Sequence, residues 1–329
     1  MPLSVKEETL ATITDYYHHE SYLKWPSPFT LPVWMRTWWQ SFGQDYELFL
    51  LSARDENGNL HGIAPMMRSA DTAYLLGNPD VCDYLDFINR PGNEEGILSA
   101  FINYAAGKGI DQIKLHAQRP DAIFFQADKK GVISRNYSIS VSDEDWSYEV
   151  ELPAAWEEYL GRLNKKQRHE VRRKIRKLDN EKPGYSFQVI SDPYQIEENS
   201  AQFFQLFLQN EEKAQFMTAS MKVFFKNILI NCASENLLKM GLLKVDHQTA
   251  AAVLFFVYNN RIYLYNSGYR NDYRELSVGL LSKVFLLKYS LENGFRVYDF
   301  LKGQEVYKER LGGLPIPIYQ VIIRISKVD

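Results

Sequence analysis

The sequence predicts an α/β (α+β) protein with two similar domains in tandem, each a mixed, twisted β-sheet flanked by helices. Residues 261–313 give the clearest signal, because a strand, a polar loop, a capped helix and a second strand follow one another there. Segments 74–84 and 263–273 align at one constant offset, and a helix, a glycine and a strand follow each of them. This repeated order of elements indicates a duplicated domain.

The element pattern sets the expected domain boundaries. We expect one domain over residues 1–150 and a second over 151–329, with a last strand, 316–325, that packs on the first domain. In the first domain we expect strands at 47–53, 60–67, 72–76 and 110–115 and a helix at 94–106. In the second we expect strands at 242–245, 250–258, 261–265 and 295–301, and helices at 197–211, 221–234 and 277–292.

Composition excludes several classes of protein. The 329 residues are 45% hydrophobic, which is enough for two packed cores. A net charge of −3 argues against a chain that coats nucleic acid along its length, so any basic surface must be local. Two cysteines make no disulfide framework, and neither a signal peptide nor a bilayer-spanning apolar run is evident. We therefore expect a cytoplasmic protein, and the sequence does not indicate an oligomeric state.

The helix 277–292 is predicted to create an anion site. Ser277 stands where an N-cap is expected, and its hydroxyl can accept a hydrogen bond from a free N–H group of the first turn. Gly294 stands just beyond the expected end of the helix. The N-terminus of such a crossover helix attracts anions through its free N–H groups and its dipole.

A basic segment, 156–178, is predicted to form one amphipathic helix. Eight Lys and Arg residues surround its apolar stripe, among them Arg168, Arg172 and Arg176. One interpretation is a solvated face whose long side chains cover the core. The other is a surface that binds phosphate or another polyanion.

Asp299 is the acidic residue predicted to lie inside a strand. The equivalent position of the first copy is Lys114, so any chemistry belongs to the second copy. A half-buried carboxylate needs a partner. Asp299 is therefore either one side of an internal salt bridge, with Lys308 or an arginine as its partner, or a general base. The six histidines lack the spacing of a helical zinc site, and no metal is expected.

Four segments carry a resemblance to a known family. They are LNKKQRHEVRRKIRKL at 163–178, YNSGY around Asn266, ELSVGLL at 275–281 and YDFLKGQEVYKERLGG at 298–313. They resemble the GNAT-superfamily acyltransferases of the CelD-like group, which is linked to cellulose or exopolysaccharide biosynthesis. That group is related to the Fem-type peptidyltransferases that build peptidoglycan cross-bridges. The resemblance implies two GNAT-like domains, with the acyl donor held in the second.

The resemblance also implies a set of site residues. In the loop that cradles the donor's pyrophosphate, Ser277 replaces the first glycine and Leu280 the last small residue. Lys308 matches the lysine that neutralises donor charge in Fem-type relatives. The expected donor-binding residues are Tyr265, Asn266, Arg274, Ser277, Val278 and Gly279. The expected catalytic residues are Asp299, Glu305, Tyr307 and Lys308, and the expected anion- or substrate-binding residues are Arg168, Arg172, Arg176 and Arg310.

The expected function is N-acyl transfer from acyl-CoA, with acetyl-CoA first among donors, to an amine of a sugar or of a cell-envelope or exopolysaccharide precursor. Asp299 or Glu305 would take the amine proton and Tyr307 would protonate the leaving group. Lys308 and the backbone N–H groups of 263–266 would stabilise the oxyanion. Two alternatives stay open: a Fem-type peptidyltransferase that uses aminoacyl-tRNA, and a non-catalytic protein that binds polyanions or glycans.

Overall fold

The computed structural model describes residues 3–325, so the first two and last four residues of the predicted domains lie outside the described residues. The strands are β1 Ser4–Glu8, β2 Glu47–Arg54, β3 Leu60–Ser69, β4 Thr72–Leu75, β5 Ile88–Asn89, β6 Gln112–Gln118, β7 Ser138–Glu151, β8 Ser186–Ile190, β9 Leu238–Val245, β10 Gln248–Tyr258, β11 Arg261–Tyr269, β12 Val297–Lys302 and β13 Leu314–Arg324.

The helices lie between these strands along the chain, singly or in groups of two or three. They are α1 Leu10–His19, α2 Pro32–Phe42, α3 Glu94–Gly107, α4 Ile123–Ala127, α5 Val132–Asn136, α6 Trp156–Arg162, α7 Lys165–Glu181, α8 Pro193–Phe207, α9 Glu211–Phe216, α10 Ala219–Ser234, α11 Val278–Glu292 and α12 Val306–Arg310. A 3₁₀ turn, Asn271–Leu276, leads into α11.

The chain divides into two compact units. Residues up to Asp145, together with those from Ile316 onward, form the first unit, and Trp146–Pro315 form the second. In the first unit the strand order is β1-β2-β3-β4-β6-β13, with β5 paired to β3. Strands β4 and β6 are parallel, and the other neighbours are antiparallel.

The second unit repeats this arrangement. Its strand order is β8-β9-β10-β11-β12-β7, in which only the pair β11–β12 is parallel. In each unit a meander of antiparallel strands is followed by a helix that crosses over to a parallel strand, and an antiparallel strand then closes the order. The predicted fold class, two similar mixed α/β domains in tandem, is confirmed.

The registers of the two parallel pairs correspond. Tyr74 lies opposite Lys114 in the first unit, and Tyr263 lies opposite Asp299 in the second. The next-to-last residue of β6 and of β12 adopts a left-handed conformation. These residues are Ala117, at φ 55°, and Leu301, at φ 61°. The two units therefore share a backbone bend as well as a strand order.

Helix α11 forms the centre of the second unit. Ten of its 15 residues are buried, and the helix packs against β9, β10 and β11. Leu281 and Leu286 are fully buried, whereas Lys288 is exposed. The helix therefore has a fixed position, and its N-terminus is held at the carboxyl end of β11.

The prediction of one continuous helix over 156–178 is wrong. The chain forms α6 and then α7, because Asn164 adopts an extended conformation and its side chain accepts a hydrogen bond from the N–H of Gln167. This is an N-cap, which begins a new helix. In residues 3–325, no helix is both long and apolar enough to cross a membrane.

We predict that Gly268→Ala destabilises the second unit. A Cβ atom at Gly268 would lie 2.5 Å from the carbonyl carbon of Leu206 in α8, and rigid backbone cannot move aside as a side chain can. We expect a loss of about 3 kcal/mol in the free energy of unfolding, at the upper end for overpacking, measured by urea denaturation.

Gly161→Ala in α6 is the matched control for this substitution. No atom lies within 4 Å of the Cβ position there. Since alanine is favoured over glycine inside a helix, we expect an unchanged or slightly higher stability. Equal stability of the two variants would contradict the close approach of β11 and α8.

Candidate active site

The site begins where two parallel strands stop pairing. Strands β11 and β12 pair at only three positions, the last being Tyr263–Asp299, although β11 continues to Tyr269. Against β10, β11 carries one extra residue, Tyr265, between the pairs formed by Leu264 and Asn266. Such a bulge leaves the extra residue out of the regular ladder. The carboxyl ends of parallel strands are a common place for a ligand crevice in α/β sheets.

A cavity of about 300 Å³ lies at this end of the second unit. It is open to solvent and combines polar and apolar walls. The lining residues come from α9, from the end of β11, from the segment that starts α11 and from the segment that follows β12. They are Lys213, Ser267, Tyr269, Arg274, Ser277, Val278, Gly279, Leu280, Lys283, Glu305 and Tyr307.

The structure brings six of the predicted site residues together on this cavity: Arg274, Ser277, Val278, Gly279, Glu305 and Tyr307. The other predicted residues lie outside its lining. Tyr265 and Asn266 lie at the bulge of β11, and Asp299 and Lys308 are buried behind the turn that follows β12.

The four arginines predicted to bind an anion or substrate, Arg168, Arg172, Arg176 and Arg310, also lie outside the cavity lining. Arg172 forms an ion pair with Glu157 of α6, at 2.5 Å. Arg168 donates a weak hydrogen bond of 3.4 Å to the carbonyl oxygen of Gly161. Arg176 and Arg310 are exposed. The basic face of α7 is thus a surface feature rather than a wall of the cavity.

The side chain of Ser277 does not cap α11, which corrects the prediction. Ser277 occupies the N-cap position, but its backbone is left-handed at φ 56° and its hydroxyl makes no capping bond. Instead the hydroxyl accepts a hydrogen bond of 2.6 Å from Lys174 of α7, and Lys177 donates to the carbonyl oxygen of Glu275. Two lysines of α7 therefore hold the loop that begins α11.

The N–H groups at the start of α11 remain available to a ligand. The backbone bonds of the helix begin with Leu280 and Leu281, which both donate to the carbonyl oxygen of Ser277. The N–H groups of Val278 and Gly279 precede them, and both residues line the cavity. Free N–H groups and the helix dipole together favour a negatively charged ligand.

The ring of Tyr269 lies directly against Gly279. A Cβ atom there would lie 2.6 Å from the ring of Tyr269, so the aromatic ring packs directly on the glycine. A larger residue at this position, as in Gly279→Val, must displace the ring of Tyr269. Glycine at this position therefore allows the ring to form one wall of the cavity.

Sequence reasoning missed two lysines of the cavity. Lys283 in α11 is buried and donates a hydrogen bond of 2.8 Å to the carbonyl oxygen of Gly279. Lys213 in α9 donates one of 2.7 Å to the carbonyl oxygen of Ser267. Burial lowers the pKa of both lysines, and the positive charges of Lys213 and Lys308 help to lower the pKa of Lys283 to about 7, against the opposing effect of Glu305. A charged residue inside the apolar pattern of α11 was the signal for Lys283.

Tyr307 provides a protonated hydroxyl beside these lysines. Its ring is partly exposed, but loss of solvent around the hydroxyl raises the pKa of Tyr307 well above the usual range, and the charge of Glu305 adds to this effect. The Lys283 Nζ atom lies 5.1 Å from the centroid of the ring. At neutral pH the hydroxyl of Tyr307 is therefore protonated and can donate a hydrogen bond.

The turn after β12 positions Glu305. The buried carboxylate of Asp299 accepts a hydrogen bond of 2.8 Å from the N–H of Leu301, whose backbone is left-handed. The ammonium group of Lys308 donates to the carbonyl oxygens of Leu301, Lys302 and Gly303, at 2.5–3.0 Å. It also forms an ion pair of 2.9 Å with Glu305. Because these bonds fix the turn, Glu305 is held at the cavity wall.

Arg261 connects Asp299 to a second carboxylate. Its guanidinium lies 4.0 Å from Asp299 and donates a hydrogen bond of 3.0 Å to Glu149 of β7. One interpretation of the sequence was that Asp299 forms an internal salt bridge. The cation near Asp299 is an arginine, Arg261. In the described residues, 3–325, no group of three or more His, Cys, Asp and Glu residues is arranged to hold a metal ion.

We predict that Lys308→Met lowers the free energy of unfolding by about 3–5 kcal/mol, because it leaves buried carbonyl groups without their donor. Lys288→Met on exposed α11 surface is the control, with an expected change below about 0.5 kcal/mol. Chemical denaturation measures both. A Lys308→Met protein as stable as the parent would show that the ammonium group does not hold the turn.

Comparisons with known proteins agree with the architecture. Residues 165–309 match the family model of the acetyltransferase (GNAT) domain. The structure is similar to FemX, with a TM-score of 0.65 and 12% identity over 98% of both chains. It is also similar to a conserved protein of unknown function from Bacteroides thetaiotaomicron VPI-5482, with a TM-score of 0.63 and 12% identity over 98% of this chain and 99% of that one.

A third similar structure is L-PGS from Bacillus licheniformis, with a TM-score of 0.53 and 12% identity over 87% of this chain and 90% of that one. No curated protein matches the sequence. At this level of identity the similar structures show the fold alone, while the domain match supports an acetyltransferase-type enzyme. Residues 165–309 thus have the sequence pattern of a GNAT acetyltransferase domain, in a chain with the fold of FemX.

Proposed function

We propose that the protein is an N-acyltransferase that moves an acyl group from acyl-CoA to an amine of a sugar or of a cell-envelope or exopolysaccharide precursor. The observation that carries the proposal is one cavity in which Glu305 and Tyr307 stand beside the free N-terminus of α11. A proton acceptor, a proton donor and an anion site are what acyl transfer from a phosphorylated thioester requires.

The phosphates of the donor belong at the start of α11 in this proposal. The N–H groups of Val278 and Gly279 and the guanidinium of Arg274 can bind a pyrophosphate there. The acyl end would then lie toward β11. We assign the backbone around Tyr265 and Asn266 to the thioester carbonyl, because the bulge takes a residue out of the ladder there.

The chemistry then needs few steps. The acceptor amine attacks the thioester carbonyl, a C–N bond forms and the C–S bond breaks. Glu305 takes the proton that the amine loses, and Tyr307 gives a proton to the departing thiolate. Of the two predicted proton acceptors we choose Glu305, because it lines the cavity and Asp299 does not. We assign Asp299 and Lys308 to holding the turn that carries Glu305.

An aminoacyl-tRNA donor is the second candidate, and one feature of the structure favours it. Helix α7 carries eight basic residues, and two of them, Lys174 and Lys177, contact the loop that starts α11. A nucleic acid bound on this helix would lie next to the cavity entrance. The fold shared with FemX is consistent with this alternative.

A thermal-shift experiment separates the candidates for the donor. We expect acetyl-CoA or a longer acyl-CoA, at 100 times its dissociation constant, to stabilise the protein by about 2.7 kcal/mol. Stabilisation by bulk tRNA and not by any acyl-CoA would instead favour the aminoacyl-tRNA donor. A polyanion that stabilises the protein while no acyl transfer is detected would favour the non-catalytic alternative.

We further predict that Glu305→Gln lowers kcat by about 10²- to 10⁴-fold, because the amide cannot take the amine proton. Donor affinity and melting temperature should change little, since the side chain of Glu305 is largely exposed. Glu309→Gln in α12, the helix that begins directly after Glu305, is the control, because Glu309 does not line the cavity. Full turnover by folded Glu305→Gln would remove Glu305 from the mechanism.

A further inference from the structure

Lys213 and Lys283 reach the same cavity from two different helices. Lys283 projects from α11 with only 7% of its surface exposed, and Lys213 projects from α9. Each ammonium group donates one described hydrogen bond, to Gly279 and to Ser267 respectively. An ammonium group has three N–H donors, so each lysine has donors left for a ligand.

These two charges lack a carboxylate counter-ion among the described side chains. The nearest acid on the cavity wall is Glu305, and it forms its ion pair with Lys308. Burial of a charge is costly unless the charge is paired, and two like charges in one cavity add repulsion. An anion placed between the lysines would remove both costs at once.

The charged groups that act on Lys283 also include more cations than anions. Lys213 faces it from α9 and Lys308 from α12, while Glu305 is the one acid that opposes them. The ring of Tyr307 also lies beside its Nζ atom. Burial and the two cations lower the pKa of Lys283 to about 7, so this lysine is partly neutral at neutral pH.

We propose that Lys213 and Lys283 form an anion subsite that binds a phosphate or carboxylate group of the substrate, one helical turn inward from the start of α11. The inference deepens the proposed function, on which it rests for the identity of the cavity as the substrate site. It implies that one of the two substrates carries an anionic group near the reacting atoms.

We expect the binding of an anion at this subsite to be coupled to the uptake of a proton by Lys283. An anion binds the charged form of Lys283 more tightly, so binding raises the pKa of Lys283 above 7. Below pH 7 the lysine is already charged and binding takes up few protons. Above pH 7 the free lysine is mostly neutral, so binding must take up close to one proton, and affinity falls as pH rises.

Calorimetric titration with inorganic phosphate tests the proposal. Titrations at pH 6 and pH 8, each in two buffers of different ionisation enthalpy, give the number of protons taken up. We expect close to one proton at pH 8 and few at pH 6. Lys283→Met should abolish the uptake and weaken binding at pH 6 by about 10- to 100-fold, the value of one charged hydrogen bond.

Two further variants make the test specific. Lys213→Met should weaken binding and also reduce uptake at pH 8, because removing its charge raises the pKa of Lys283. Lys288→Met on the exposed side of α11 should leave affinity and uptake unchanged. Melting curves show that each variant is folded. Failure of phosphate to bind the parent protein, or parental affinity and uptake in Lys283→Met, would overturn the subsite.

A second titration, with coenzyme A, shows whether the donor or the acceptor supplies the anionic group. If coenzyme A binds Lys283→Met more weakly than the parent, the donor supplies the anionic group. If coenzyme A binds both equally, and phosphate binding to the coenzyme A-saturated protein is lost in Lys283→Met, the acceptor supplies it. Absence of coenzyme A binding would reject the proposed donor, while the phosphate titration would still decide the subsite.

Discussion

The ammonium group of Lys308 is the interaction on which the rest of the site depends. It is almost fully buried, and it binds the carbonyl groups of Leu301, Lys302 and Gly303. Those carbonyls converge because the backbone is left-handed at Leu301 and again has positive φ at Gly303. A turn with this shape is unfavourable for Leu301 by itself, so Lys308 and Asp299 stabilise it from opposite sides. The direction in which the chain leaves β12, and hence the position of Glu305, follows from this turn.

The loop that begins α11 is held by the same kind of contact. Ser277 is left-handed, and a lysine from a distant part of the sequence binds its hydroxyl. In both loops a left-handed residue is fixed by an ammonium group: Lys308 donates to three carbonyl groups, and Lys174 pairs with Glu170 as well as binding Ser277. These lysines differ from Lys213 and Lys283, whose donors are only partly used. The number of acceptors that surround each ammonium group thus separates structural lysines from candidate binding lysines.

The sequence predicted the fold well because the patterns that indicate helices, strands and repeats each lie within a short segment. Helical periodicity and a glycine marked the ends of α11, and the repeat of segments 74–84 and 263–273 indicated two copies. The register of Tyr263 with Asp299 and of Tyr74 with Lys114 agrees with the equivalence read from the sequence. The cavity could be predicted only in part, since Lys213 and Lys283 are 70 positions apart and meet only through packing. The packing of the Tyr269 ring on Gly279 could not be predicted either, because a contact between two separate elements leaves no pattern in composition or spacing.

The shared bend of the two units shows how a duplicated backbone can be kept by different side chains. In the first unit the N–H of left-handed Ala117 is bound by Glu144 of β7, and in the second the N–H of left-handed Leu301 is bound by Asp299 of its own strand. A carboxylate thus supports the bend in both units, but it comes from different places in the chain. The two bends correspond in backbone conformation, and the one in the second unit leads into the segment that carries Glu305 and Lys308. The bend therefore does not depend on one particular side chain, because a carboxylate from another part of the chain can support it equally.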